Sequence, residues 1–216
     1  MVETRDTDNI IELFEDESRP MTKSERTRLK IMASAAKVFN EKGFDNTSIQ
    51  DIANDAGIAK GTIYYYVEKK EDLLLSLIRF AKVRLFAKIG KGIEKATTAS
   101  EKIEIIIRNH LKIVKTVGPV MPFFAQSLVS NDSRVREIMA GFRREYLNRL
   151  ESIIKEGIQS GEFRQVDPGR AAVAILGLVI GQALQFKLFT GKINTKEIAE
   201  NTIDIAINGL RQGYEG

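Results

Sequence analysis

The stretch from Thr47 to Leu74, TSIQDIANDAGIAKGTIYYYVEKKEDLL, leaves this part of the chain few ways to fold. Ile49, Ile52, Ala53 and Ala56 recur at i, i+3, i+4 and i+7, a single apolar stripe on a helical period. Thr47 and Gln50 have the spacing of a capping box at its start. Gly57 ends that helix, because glycine takes the left-handed conformation a helix stop requires. A second short helix is expected from about Ala59, with Ile63 and Val67 turned to the core and Tyr66 also on the inner side. Two short helices therefore meet at a tight turn. The second keeps Lys60, Gly61, Thr62, Tyr64 and Tyr65 off the core face. A cation, bare backbone, a hydroxyl and two phenols are groups suited to phosphates and base edges.

The order of residues in GIAKGTIYYYVEKKEDLL, Gly57 to Leu74, closely resembles the recognition segment of TetR-type regulators. There, glycine, a small residue, Lys-Gly-Thr, a tyrosine-rich run and a Lys-Glu-Glu-Leu-like segment follow one another. Upstream, Arg28 to Phe44, with Ala35, Ala36, Phe39 and the Gly43-Phe44 pair, is similar to the first helix of that family and the turn leaving it. The resemblance covers about residues 26–77, roughly a quarter of the chain, and departs from the common pattern at Ala59, Val67 and Lys69. It implies an all-α protein: an N-terminal three-helix helix-turn-helix domain joined by a long helix to a larger C-terminal helical domain that binds a ligand and dimerises. It also implies a bacterial, cytoplasmic homodimer that represses transcription from palindromic double-stranded operator DNA until a small, largely apolar effector releases it. Carried over position by position, Lys60, Gly61, Thr62, Tyr64 and Tyr65 are the groove and phosphate contacts. Lys70 is a phosphate contact at the next helix start, and Thr47 and Ser48 touch the DNA backbone.

Composition excludes several other chemistries. With no Cys the chain has neither a disulfide framework nor a thiolate nucleophile or metal ligand, and one histidine, His110, cannot supply a zinc cluster. No Gly-rich phosphate loop, metal-ligand spacing or nucleophile with a base is present, so no enzyme, cofactor or metal is expected. The net charge of +4 is too small to argue for nucleic acid. Its distribution says more. In residues 1–21, Glu3, Asp6, Asp8, Glu12, Glu15, Asp16 and Glu17 face only Arg5 and Arg19, leaving about +9 on the remainder. This segment has no basic start or apolar run of a signal peptide and reads as a solvated acidic tail, although Ile10, Ile11, Leu13 and Phe14 could form one amphipathic turn.

The organisation expected is a tail over 1–21, a helix-turn-helix domain over 22–68, and an effector-binding and dimerisation domain over 69–216. Thr22 and Glu25 cap a helix whose stripe is Leu29, Met32, Ala36 and Phe39, with Lys23, Arg26 and Arg28 at its exposed start. A long helix runs from Lys69 to about Ile89, with Leu73, Leu77, Phe80 and Val83 or Arg84 on one side, and Gly90 and Gly92 mark its end. Thr98 and Glu101 cap a helix to Val117, and a short helix over Val120 to Val129 contains Pro122. Asn131 and Asp132 start a helix to about Ser160 carrying Ile138, Phe142, Tyr146, Leu150, Ile153 and Ile154 on one face, and Gly161 stops it. Asp167-Pro168 opens a helix that is apolar almost all round from Ala171 to Phe189. Its uninterrupted part, Ala171 to Gly181, falls short of the ~20 residues of a membrane span, so no membrane is expected. It reads instead as a helix covered on both sides, by its own domain and by a second subunit, with Gly177 and Gly181 permitting close approach. Asn194 and Glu197 cap a last helix, to about Gly213, whose Ile198 and Ile205 join the dimer surface.

A lone histidine among Ile106, Ile107 and Ile113 is a satisfied core residue or lines a ligand cavity. Phe80, Phe123, Phe124, Tyr146, Gln182 and Phe186 pose the same choice, because apolar walls with a few polar groups make a core as well as a pocket. Only the family resemblance tips these residues toward an effector site. A DNA-binding protein without a small ligand, whose larger half recruits a partner protein, is the other class left open.

Overall fold

The computed structural model describes residues 21–116, 133–190 and 195–211. They form α1 (Lys23–Lys42), α2 (Ile49–Ala56), α3 (Lys60–Tyr66), α4 (Lys70–Ile93), α5 (Ala99–Thr116), α6 (Ser133–Gln159), α7 (Pro168–Thr190) and α8 (Thr195–Asn208). No strand occurs among the described residues, and Phe163 and Arg211 make one isolated antiparallel bridge. The acidic tail, the Val120 to Val129 helix and the cap residues Asn131, Asp132 and Asn194 lie outside the described residues.

The described chain divides into two compact units. The first holds residues 21–84, 116 and 133–136, and the second holds 85–115, 137–190 and 195–211. The division falls inside α4, whereas sequence places a boundary at the start of that helix. In the first unit, α1 buries Met32, Ala36 and Phe39 as its period requires, α2 buries Ile49, Ile52, Ala53 and Ala56, and α3 buries Ile63. Val67 is the C-cap of α3 and only half-buried. On α4, Leu73 and Leu77 are buried, and the stripe continues through half-buried Phe80 and Arg84, while Val83 points to solvent.

In the second unit α4 runs through Gly90 and Gly92 and ends at Ile93, beyond the stop that sequence suggests. Packing explains Gly92: a Cβ there would stand 2.6 Å from the Ile105 side chain of α5. The Thr98–Glu101 capping box forms. A second carboxylate, Glu162, accepts the N–H groups of Ala99 and Ser100 at 2.8 Å, so α5 starts against a side chain 62 residues away. Burial pushes the Glu162 carboxyl up, and the hydrogen bonds from Ser100 and Ala99 together with the charge of Arg211 outweigh it and leave the group below its ordinary range. Gly161, at φ 77°, ends α6, and Asp167 accepts the Arg170 N–H at 2.7 Å at the head of α7.

α7 buries Ala172, Ile175, Leu176, Val179 and Ala183 and leaves Val173, Gly177, Ile180 and Gly181 exposed on the other side. Its segment Pro168–Gln185 is long and apolar enough to cross a membrane by length and composition. The division into a buried and an exposed stripe is that of a helix laid on a protein core. Ile198 departs from its expected place. At 1 % exposure it is packed in the unit's own core, whereas Ile205 on the same helix is exposed.

Candidate nucleic-acid interface

Capping sets where α2 begins. The box at its start is Ser48 with Asp51, one residue later than the Thr47–Gln50 box read from sequence. Ser48 N–H donates to the Asp51 carboxylate at 2.9 Å and Asp51 N–H to the Ser48 hydroxyl at 3.1 Å, while Gln50 bonds Asn54 instead. The Lys42 ammonium, 2.6 Å away, and then Ser48 hold the Asp51 carboxyl far below the usual carboxylate range. Lys37 reaches Asp55 at 2.8 Å, so two ion pairs brace α1 against α2.

Thr47 is turned inward. Its side chain is 3 % exposed, and its hydroxyl donates to the Gly43 carbonyl at 2.7 Å, which corrects the expected contact between this side chain and the DNA backbone. A buried hydroxyl must find an internal acceptor, and the open carbonyl at the end of α1 supplies it. Ser48 stays at the surface with its hydroxyl engaged in the cap.

Gly57 closes α2 in the left-handed conformation, φ 58° and ψ 40°, with its N–H on the carbonyls of Ala53 and Asn54. This tight stop lets Ile58 and Ala59 lead into α3 within a few residues. The inner side of α3 is fixed by fully buried Ile63 and by Tyr66, whose hydroxyl lies 3.2 Å from that of Ser24 on α1. The opposite side carries the residues expected there. Tyr65 is 84 % exposed, Tyr64 is 49 % exposed, Lys60 is exposed with its ammonium 5.9 Å from the Tyr64 ring centre, and Thr62 is half-buried. A Cβ at Gly61 would meet no atom of the described residues within 4 Å, so their packing does not ask for glycine there. Lys23, Arg26, Arg28 and Lys69 are also exposed.

Lys70 is placed differently. Its ammonium donates to the carbonyls of Phe44 at 2.8 Å, Thr47 at 3.0 Å and Asp45 at 3.2 Å, and lies 4.5 Å from the Phe44 ring centre. Lys69 provides no side-chain cap for α4; its N–H donates to Asp72 at 3.2 Å.

Of the residues considered for an effector, His110 and Tyr146 are brought together in the second unit. Both are buried, with Nδ1 and the phenol oxygen 3.0 Å apart. Phe142 packs on both rings and on Phe86, and the Arg149 guanidinium lies 5.0 Å from the Phe86 ring centre. Burial lowers the His110 imidazole to about 4 and pushes the Tyr146 phenol far above its ordinary range, so both are neutral near pH 7. Gln182 is half-buried in this unit, and Phe80 belongs to the first, beside Arg84. Phe123, Phe124 and the side chain of Phe186 lie outside the described residues. Sequence reading missed Lys37, Lys42 and Asp51 as braces. No local spacing signals pairs that are 9 and 18 residues apart.

Comparison with known proteins bears on both units. Residues 31–77 match the family model described as bacterial regulatory proteins, tetR family, and residues 96–210 match that of the tetracyclin repressor-like C-terminal domain. The fatty acid metabolism regulator protein of Bacillus subtilis is 26 % identical over 84 % of this chain and 94 % of its own. The crystal structure of FadR from that organism in complex with stearoyl-CoA superposes with a TM-score of 0.72, covering 84 % of this chain and 98 % of the other at 26 % identity. The fatty acid degradation regulator FadR from Bacillus halodurans gives 0.75, covering 90 % of this chain and all of the other, also at 26 % identity.

Proposed function

This chain belongs to the tetR family of bacterial regulatory proteins, and we propose that it is a homodimeric repressor that leaves its operator when a long-chain acyl-CoA binds its second unit. It is a DNA-binding transcriptional regulator. Lys60, Thr62, Tyr64 and Tyr65 on α3 read the major groove, Gly61 admits the DNA backbone, and Lys23, Arg26 and Lys69 hold phosphates. The protein works by binding rather than catalysis, on DNA in the cytoplasm. The exposed stripe of Val173, Gly177, Ile180 and Gly181 on α7, with Ile205 on α8, is covered by a second copy. At both glycines a Cβ would meet no atom of the described residues within 4 Å, which leaves room for close approach by another helix.

The observation that carries the effector class is similarity over nearly the whole length of a regulator crystallised with stearoyl-CoA. An acyl chain offers about 0.8 kcal/mol per buried methylene, and the second unit is rich in buried Ile and Leu with few polar groups. α4 contributes residues to both units and is the element through which effector and operator are coupled. A dimer reads two half-sites spaced by roughly 34 to 36 Å or a multiple, so a shift of a few ångströms in one recognition helix misaligns both sets of contacts. A preference of about 1–3 kcal/mol for the released geometry lowers operator affinity several-fold to about a hundredfold.

Stearoyl-CoA, free stearate and CoA alone, each titrated into the protein during thermal unfolding and into its complex with a selected DNA duplex, test this. Stearoyl-CoA alone should raise the melting temperature and release the duplex. No stabilisation by it, with tight duplex binding intact, would leave a DNA-binding regulator whose second unit answers to something else, such as a partner protein.

A further inference from the structure

We propose that Lys70 is a positioning residue that ties the head of α4 to the turn between α1 and α2, rather than a ligand for DNA phosphate. This rests on the DNA-binding reading above and concerns how that site is held in shape.

The three hydrogens of its ammonium match three carbonyl oxygens, those of Phe44, Asp45 and Thr47, at 2.8, 3.2 and 3.0 Å. The half-buried side chain also lies over the Phe44 ring, which packs in turn on Phe39 of the α1 core at 5.2 Å. A lysine that holds phosphate works as a mobile, hydrated point charge, whereas this one sits in a backbone cradle that already satisfies it. The cradle is formed by the segment that launches α2. Thr47 latches that segment from inside through the Gly43 carbonyl, and Lys70 clamps it from the α4 side. Thr47, adjacent to Ser48, the cap of α2, takes part in both latches. The start of α2, braced on α1 by Lys37–Asp55 and Lys42–Asp51, is therefore also tied to the first residue of α4. A rotation or shift of α4 would be handed to the recognition helix through this clamp, without any change in the phosphate contacts themselves.

Lys60 and Lys69 differ sharply from Lys70 in what they offer a reagent. Lys60 and Lys69 are exposed, and neither makes the backbone cradle seen at Lys70. Acetylation footprinting by mass spectrometry of the wild-type protein, with and without a duplex recovered by selection from a random pool, should therefore separate two classes. Lys60 should react fast in the free protein and be protected by the duplex, while Lys70 should react slowly in both. Fast reaction of Lys70 in the free protein and protection only by DNA would overturn the proposal.

Lys70→Met supplies the second arm, since it keeps the apolar stem over Phe44 and removes the ammonium. Duplex affinity should fall by roughly tenfold or more as the turn loosens, and amide exchange at Thr47 and Ile49 should quicken. The slope of log affinity against log salt should stay as in wild type, whereas loss of a true phosphate contact lowers it by about 0.9. A lowered slope with unchanged exchange would make Lys70 a phosphate ligand. If Lys70→Met does not fold, footprinting of the wild type still decides. A wild-type protein that selects no duplex would instead count against the DNA-binding reading, an outcome distinct from either result at Lys70.

Discussion

The outer side of α3 and the cluster around His110 are both departures from a plain apolar stripe, and they depart in opposite ways. On α3, Tyr65 meets the edge of the Tyr66 ring, 5.2 Å between centres, yet stays 84 % exposed, and a Cβ at Gly61 would meet no described atom within 4 Å. In the second unit, His110 and Tyr146 account for each other, each giving the other a hydrogen-bond partner within a shell of aromatic rings. Residues that their own fold leaves unexplained point to something outside it. Residues that satisfy one another serve a core equally well, which is why operator contact can be argued from α3 alone while the effector class had to come from similarity to FadR.

The sharpest way to break this contrast is to remove a partner inside the second unit. Tyr146→Ala deletes a fully buried ring and leaves His110 without its hydroxyl, and should cost about 3–5 kcal/mol of stability in a urea titration. A loss under about 1 kcal/mol would mean that the pair is not part of the core.

Acid titrates the same pair more gently. The unfolded chain takes up a proton on His110 near pH 6.5, and the folded chain resists it until about pH 4. The stability that depends on neutral His110 is therefore fully present above about 6.5 and drains away as pH falls toward 4, reaching roughly 3 kcal/mol. His110→Gln should flatten the stability profile across that window relative to wild type. Asp51, Glu101 and Glu162, all held low, contribute stability that is lost at still lower pH. Parallel profiles for wild type and variant would show that His110 is not kept neutral by burial.

On the α3 side the expectation reverses. Tyr65→Ala and Lys60→Ala should leave the melting temperature nearly unchanged and each weaken duplex binding by about 1–3 kcal/mol, roughly ten- to hundredfold. Wild-type affinity in both variants at physiological salt would remove α3 as the reading element, and a large fall in melting temperature would make its outer side structural after all.

Much of this architecture was legible in the sequence because helix starts and stops are written within four residues. Thr22 with Glu25, Thr98 with Glu101, Asp167-Pro168, Gly57 and Gly161 each mark an end where the structure has one. The apolar periods chose the buried face of α2 and picked out Met32, Ala36 and Phe39 on α1 and Tyr146, Leu150, Ile153 and Ile154 on α6 for the same local reason. Tertiary structure decided what spacing cannot. Adjacent residues Thr47 and Ser48 compete for one cap, and the internal acceptor at Gly43 draws Thr47 inward. Lys70 meets carbonyls 23 to 26 residues back along the chain, and Glu162 caps α5 from 62 and 63 residues ahead. Ile198 and Ile205 are seven apart and look equivalent on a helical wheel, yet the first is core and the second is surface. A periodic pattern fixes which residues share a stripe. How far around the helix the core reaches is set by neighbours that are distant in sequence and close only after folding.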